Sequence, residues 1–287
     1  NNTMANLKEI RNRIASVSST MQITSAMKMV SAAKLKKAQD AITAMRPYSD
    51  KLTELLQNLS ATLDADSGSK FSEQRDVKNV LIVAITSNRG LCGAFNSNII
   101  KRATAVASGY NAKVSIVAIG KKANDALSKN FEVISNQSPV FEDLTFTNVA
   151  AIAEMLMEQF ESKAFDKIEV VYNKFKNAAT QEIMTEQFLP IVTLDSDSNS
   201  NQDYIFEPSK EETVETLIPK SLKTQLYKSI RDSFASEHGA RMTAMHKATD
   251  NATELRDQLK LTYNKARQAS ITNEILEIVG GAEALNN

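Results

Sequence analysis

The stretch Lys220–Val279 reads KSLKTQLYKSIRDSFASEHGARMTAMHKATDNATELRDQLKLTYNKARQASITNEILEIV. It holds no proline and one glycine, Gly239. Small or apolar residues recur along it at alternating steps of three and four: Met245, Ala248, Ala252, Leu255, Leu259, Thr262, Ala266, Ala269, then Asn273 and Leu276. That spacing is a heptad seam, the signature of a helix covered by a second helix. At 1.5 Å per residue an unbroken helix of this span is roughly 90 Å long. It is too long to lie inside one small domain, so it is expected to stand out of its own domain against a partner helix.

The amino-terminal stretch supplies the partner. Leu7, Ile10, Ile14, Val17, Met21, Thr24, Lys28, Ser31, Leu35, Ala38, Ile42 and Met45 form a second seam, followed by Leu52, Leu56 and Leu59. No glycine or proline precedes Pro47, so one long helix with a kink near Arg46-Pro47 is expected. Lys28, at a seam position, either snorkels to solvent or faces a partner. A separate domain lies between the two helices, which makes antiparallel pairing the simplest arrangement, with the left-handed twist that a 3.5-residue period imposes. No aromatic residue precedes Tyr48, and only Tyr263 follows Phe234. Small seam residues let the helices approach closely. The leucine-rich parts, at ~1.5–3 kcal/mol per buried side chain, are expected to hold the pair most firmly.

Between Thr62 and Lys70 the composition turns small and polar. The middle then alternates strands with helices: Val80–Ile85, a turn at Asn88–Gly93, a helix to Ala107, Val114–Ile119, Lys121–Ser128, Phe131–Ile134, Asn148–Phe160, Ile168–Phe175 and Glu182–Ile191. The fold class is therefore α/β, a long antiparallel left-handed coiled coil of the two terminal helices plus a Rossmann-like, mostly parallel domain. The expected divisions are a helix over 1–62, the α/β domain over 70–194, a linker over 195–208 and the carboxy-terminal helix over 209–287.

Composition excludes several classes. Of 287 residues 42% are hydrophobic and 24% charged, ordinary for a protein of one or two domains. No apolar run is long enough to cross a membrane, and no secretory or transit segment is recognised before the first helix. Residues Asn1–Thr3, ahead of Met4, are expected to be a processing or cloning remnant. The net charge is zero, yet residues 1–60 carry 9 basic against 4 acidic side chains and residues 61–208 carry 14 against 19. A basic helix of this kind suits an acidic protein surface as well as a nucleic acid. Cys92 is alone, so no internal disulfide forms, and the chain suits a reducing compartment.

Candidate chemistry is sparse. The turn Asn88-Arg89-Gly90-Leu91-Cys92-Gly93 sits where a phosphate loop would, but its glycines are three apart and no Lys-Ser/Thr follows. Gly120-Lys121-Lys122 is equally incomplete, and a tight strand-to-helix turn is the preferred reading of both. Asp195, Asp197 and Asn199 imitate a calcium loop without its glycine or its terminal acid in place, so a solvated linker is preferred. His238 and His246, eight residues apart on one helix, cannot share a metal. Cys92 reads as a small buried residue, and Met27, Met29, Met45, Met242 and Met245 as seam filler. No acid–base pair or nucleophile constellation emerges, which argues against catalysis by this chain; no metal or cofactor is expected.

Three regions carry a resemblance. MANLKEIRNRIASVSSTMQITSAMKMVSAAKLKKAQ at the start, SNRGLCGAFN in the turn, and ASEHGARMTAMHKATDNA with YNKARQASITNEILEIVGGAEAL at the end resemble the gamma subunit of F-type ATP synthases, and the similarity covers essentially the whole chain. The kind is bacterial, because the chloroplast kind carries a cysteine-bearing insertion. The resemblance implies a non-catalytic central-stalk rotor subunit that couples ion flow through the membrane c ring to ATP synthesis or hydrolysis at the beta subunits. It implies alpha, beta and epsilon subunits and the c-subunit ring as partners, no nucleic acid, and a peripheral place on the cytoplasmic face of the bacterial inner membrane. By the same resemblance Met27 and Arg241 meet beta, Gln268 lies nearer the top of the stalk, and Ile271, Ile275, Ile278 and Val279 sit in an apolar bearing. Lys34, Lys36, Lys37, Tyr204 and Glu207 fall where the family meets the c ring and epsilon. Two departures stand in the turn region: Asn88 for an aspartate, Ala94 for a glycine. The rival classes are a coiled-coil scaffold, which predicts a soluble homodimer, and a nucleotide-dependent enzyme using the Gly90 turn, which predicts stoichiometric nucleotide binding.

Overall fold

The computed structural model describes residues 2–60, 70–191 and 210–285. Its elements are α1 (Asn2–Ser60), β1 (Asn79–Ile85), α2 (Phe95–Ser108), β2 (Lys113–Ile119), α3 (Lys121–Leu127), β3 (Glu132–Asn136), α4 (Phe146–Glu161), β4 (Lys167–Phe175), β5 (Gln181–Leu189) and α5 (Lys210–Leu285). The chain divides into two compact units, residues 1–31 with 242–287, and residues 32–241. α1 continues through Pro47 and α5 through Pro219. Each proline removes one backbone donor without ending its helix. The expected linker residues Asp195–Asn201 and Tyr204–Phe206, and the Leu56 and Leu59 side chains, lie outside what is described.

In the larger unit the sheet order is β3-β2-β1-β4-β5, with β1, β2, β3 and β4 parallel and β5 antiparallel to β4. β1 is buried on both faces, which is why it reads as a continuous apolar run instead of an alternation. Leu81, Val83 and Ile85 face a core built with α4 (Val149, Ile152, Leu156, Phe160) and with Ile218, Leu222, Leu226 and Ile230 of α5. Val80, Ile82 and Ala84 face a second core with α2 (Ile99, Ala103) and α3 (Ala123, Leu127). α5 is thus a structural wall of the α/β domain as well as a terminal helix. The strand–helix alternation expected over Val80–Ile191 matches the elements found, with ends moved by a residue or two.

The close packing of β1 on β2 requires Gly120. Its φ is +111°, and a Cβ there would lie 2.3 Å from the Thr86 carbonyl oxygen. The same approach lets the Thr86 hydroxyl accept the Ala123 N–H at 2.8 Å, which caps α3.

Candidate functional site

Within the unit of residues 1–31 and 242–287, the contacts run in opposite directions along two helices. Arg11 Nη2 donates to Tyr263 Oη at 2.7 Å, and Arg256 Nη1 lies 3.4 Å from Met21 Sδ. The Thr24 and Thr249 hydroxyls are 2.8 Å apart, and Lys28 Nζ is 3.5 Å from His246 Nδ1. Rising numbers on α1 meet falling numbers on α5, so the pair is antiparallel. Lys28, half-buried beside His246, faces the partner helix.

On α1 the expected seam is the buried one: Ile10, Thr24 and Ser31 are buried, and Leu7, Ile14, Val17, Met21 and Lys28 half-buried. α5 differs from expectation at every second position. Met245, Ala252, Leu259 and Ala266 face inward as expected, and Ala248 is half-buried. The alternate inward positions are Thr249, Arg256, Tyr263 and Ser270, while Leu255, Thr262, Ala269, Asn273 and Leu276 are exposed. Both seams keep the 3.5-residue period and its left-handed twist. These positions carry the polar contacts to α1: the Thr249 hydroxyl pairs with Thr24, Tyr263 Oη accepts from Arg11, and Arg256 Nη1 reaches Met21 Sδ. That choice of seam leaves Leu255 outside; Ile23 and Val30 on α1 and Leu261 on α5 are also exposed, and beyond Ser270 every residue from 271 to 283 is exposed, Ile271, Ile275, Leu276, Ile278 and Val279 among them, with Ile278 71% exposed. Of these, Ile271, Ile275 and Ile278 stand on one side of α5 at steps of four and three, and an exposed aliphatic stripe of this kind marks a surface that a partner covers.

In the larger unit the notable site is the turn after β1. It sits where the strand order reverses, with β2 on one side of β1 and β4 on the other, the place where open α/β sheets take ligands. Here it holds a side chain of the same protein. Arg241 of α5 donates from Nη2 to the Arg89 carbonyl at 3.1 Å, from Nε to the Gly90 carbonyl at 3.2 Å, and from Nη1 to Glu237 Oε1 at 2.7 Å. A phosphate loop converges N–H groups on an anion. This turn aims oxygens at a cation, the opposite polarity. Asn88 braces it, with Oδ1 accepting the Lys121 N–H at 3.0 Å and Nδ2 donating to the Ser138 carbonyl at 3.0 Å. An aspartate, usual in the resembled pattern, could make only the first bond.

Burial sets the titration of this cluster. It pushes the Glu237 carboxyl up from its ordinary value, opposed by the Arg241 charge. It pushes His238 down to about 3, helped by Arg241 and Lys34. The His238 ring lies edge-on to Phe234 at 4.5 Å between centroids, and Nδ1 is 3.4 Å from Arg241 Nη1. Because arginine can only donate, Nδ1 is the acceptor and the ring proton belongs on Nε2. The Cys92 thiol is buried beside Ser87 and Asn96, and burial raises its pKa, so it is a packed residue and not a nucleophile.

A family profile described as ATP synthase matches residues 6–285. The ATP synthase gamma chain of Flavobacterium psychrophilum is 76% identical over 284 residues, covering 98% of this chain and 99% of that one. The gamma chain of Cytophaga hutchinsonii is 54% identical, covering 99% and 100%. This chain belongs to the ATP synthase gamma-chain family. Among solved structures, the central stalk and c ring of the Tetrahymena thermophila mitochondrial ATP synthase matches with TM-score 0.61 at 26% identity, covering 79% of this chain and 99% of that one. The rotor of the Euglena gracilis enzyme shares the fold, with TM-score 0.68 at 24% identity and coverage of 93% and 99%. As a gamma chain, the protein is a non-catalytic central-stalk subunit of an ATP synthase.

The positions implied by the gamma-chain resemblance fall into three groups. Met27 is half-buried on α1, and Gln268, Ile271, Ile275, Ile278 and Val279 are exposed on α5. Lys34, Lys36 and Lys37 are exposed on α1, while Tyr204 and Glu207 lie outside the described residues. Arg241 stands apart, because its side chain is only 8% exposed and its guanidinium is committed inside the gamma chain's own α/β unit. Sequence reasoning missed the Glu237–Arg241 clasp and the buried His238 beside it. The available signal was Glu-x-x-x-Arg on a helix crowded with Ser, Ala and Gly. Among the described residues no three His, Cys, Asp or Glu side chains gather as a metal site. Asp195, Asp197 and Asn199 lie outside them.

Proposed function

We propose that this gamma chain is the rotor of an F-type ATP synthase, coupling ion flow through a membrane c ring to ATP synthesis or hydrolysis at beta subunits by rotation. The observation that carries this reading is an antiparallel helix pair with an outward aliphatic face on α5, in a chain matched to its family over 6–285. Ile271, Ile275, Ile278 and Val279 turn in an apolar sleeve of alpha and beta subunits, and Met27 and Gln268 face beta and alpha lower and higher on the same surface. Arg241 serves the beta-facing zone by holding α5 in place. Lys34, Lys36 and Lys37, with Tyr204 and Glu207, meet the c ring and epsilon, where acidic partner groups complement the lysines. No described helix is long and apolar enough to cross a membrane, and the chain attaches peripherally at the cytoplasmic face of the bacterial inner membrane.

The test is co-expression of a tagged chain with the alpha, beta, epsilon and c subunits of its source. Capture should yield one copy per three alpha and three beta, and vesicles lacking the chain should lose ATP-driven ion pumping. A homodimer that leaves alpha and beta behind would sink the proposal in favour of a scaffold.

A further inference from the structure

Along Ser229–Arg241 every residue of α5 except Arg231, Phe234 and Ala240 is buried. An amphipathic helix covering a sheet would leave about half its circumference to solvent; this segment is gripped on almost all sides. The grip is made on backbone atoms of four separate segments. Arg231 Nη2 donates to the Leu144 carbonyl at 2.7 Å, and Ser236 Oγ donates to the Asn173 carbonyl at 3.1 Å. A Cβ on Gly239 would stand 3.1 Å from the backbone of Ala178, so the β4–β5 turn lies directly against the helix. Arg241 holds the Arg89 and Gly90 carbonyls.

At about 100° of rotation per residue, positions 231, 236, 239 and 241 point around α5 at roughly 0°, 140°, 80° and 280°. Apolar packing lets a helix slip about its axis between nearly equal arrangements. Directional bonds to fixed carbonyls on different sides do not, because any turn of the helix lengthens some of them whichever way it goes. The three-bond fork of Arg241, pinned by Glu237, is the stiffest of these ties.

We infer that the Ser229–Arg241 collar is a rotational lock joining α5 to the α/β domain, with Glu237 and Arg241 as its positioning pair. The crevice that other sheets of this topology give to a ligand is spent here on holding the helix. This inference rests on the rotor reading and names where within the chain torque crosses from helix to domain.

The test uses the assembled complex, with a bead on Lys101→Cys, an exposed position of α2, and alpha and beta fixed to glass. In the stalled complex the angular variance of the bead should rise at least twofold in the double variant Ser236→Ala/Glu237→Gln. Ions pumped per ATP hydrolysed should fall in step, and Glu237→Ala should exceed Glu237→Gln, whose amide still accepts from Arg241. Variance and pumping ratio equal to those of the parent overturn the lock. Should the double variant fail to assemble, Glu237→Ala, which removes the acceptor for Arg241 Nη1, decides alone by the same two readouts. A parent bead that never turns on ATP is a separate result, which overturns the rotor reading itself.

Discussion

Acid should loosen this protein through one histidine. His238 is buried on α5 with Arg241 against Nδ1, and its pKa falls from 6.5 to about 3, through burial first and then the charges of Arg241 and Lys34. Below pH 6.5 the unfolded chain binds a proton at this site that the folded chain refuses. Stability from His238 is therefore complete above pH 6.5 and is lost as the pH falls toward 3, at a slope approaching ~1.4 kcal/mol per unit. Between pH 8 and pH 5 the loss is about 2 kcal/mol, a large fraction of the margin of an ordinary domain. Glu237 works in the opposite sense, since its raised pKa gives stability below 4.5 that is lost as the pH rises. The comparison must therefore be with His238→Phe, which keeps Glu237 and a ring against Phe234. Urea unfolding followed by circular dichroism at pH 8, 7, 6 and 5 should show the wild-type chain losing about 2 kcal/mol more than the variant. Equal slopes for the two chains would show that His238 titrates normally and that its burial is misjudged.

Other outcomes follow from single contacts. Gly120→Ala forces a side chain into φ +111° and onto the Thr86 carbonyl, and should cost about 3 kcal/mol or more, visible as a fall in melting temperature. Asn88→Asp keeps the bond to Lys121 but loses the one to Ser138, and should cost about 1 kcal/mol in urea titration. Thr24→Val and Thr249→Val should each destabilise the helix pair by about 1 kcal/mol, and the double variant by less than the sum, because both single changes remove the same cross-helix bond while the surviving hydroxyl keeps its own-helix carbonyl, Met21 or Met245. In the complex, Ile275→Trp adds bulk to a surface now 54% exposed, and should raise the rotation barrier and lower ATP turnover; unchanged rates would speak against a close sleeve.

The α/β domain was legible because its signal is local. β1 is enclosed by both cores, so Val80–Ile85 had to be apolar throughout, and Gly120 marks the end of β2 where no side chain fits. The helix pair was legible in period and only half legible in face. Choosing the more apolar residue at each step predicts Leu255 inside, whereas Arg256 takes that place and contacts Met21, 235 residues away in the chain. Periodicity constrains the angle of a seam to within one residue. Polar pairs across the seam decide the rest, and their partners are remote in sequence. The clasp was illegible for the same reason, since Arg241 bonds carbonyls that any residue would supply.

Of the aliphatic residues outside on α5, Leu255 follows from that choice of seam, whereas Ile271, Ile275, Leu276, Ile278 and Val279 lie beyond Ser270, where every residue from 271 to 283 is exposed. A helix meant only to pair with α1 would gain from turning Leu255 inward, at ~1.5–3 kcal/mol per leucine buried, and the chain forgoes this gain. Ile271, Ile275 and Ile278 lie on one stripe at steps of four and three, beyond the last inward residue, Ser270. α5 therefore carries an apolar stripe beyond the stretch of its seam with buried residues. Farther back, at Ser229–Arg241, the same helix carries serine, glycine and an ion pair where it is enclosed. The helix is therefore held by polar ties beside its apolar core residues, and it carries an apolar stripe where it is bare, which a helix standing alone in water would not need. Such a helix gains its full stability only when the bare stripe is covered, and an apolar surface is what would bury Ile271, Ile275 and Ile278.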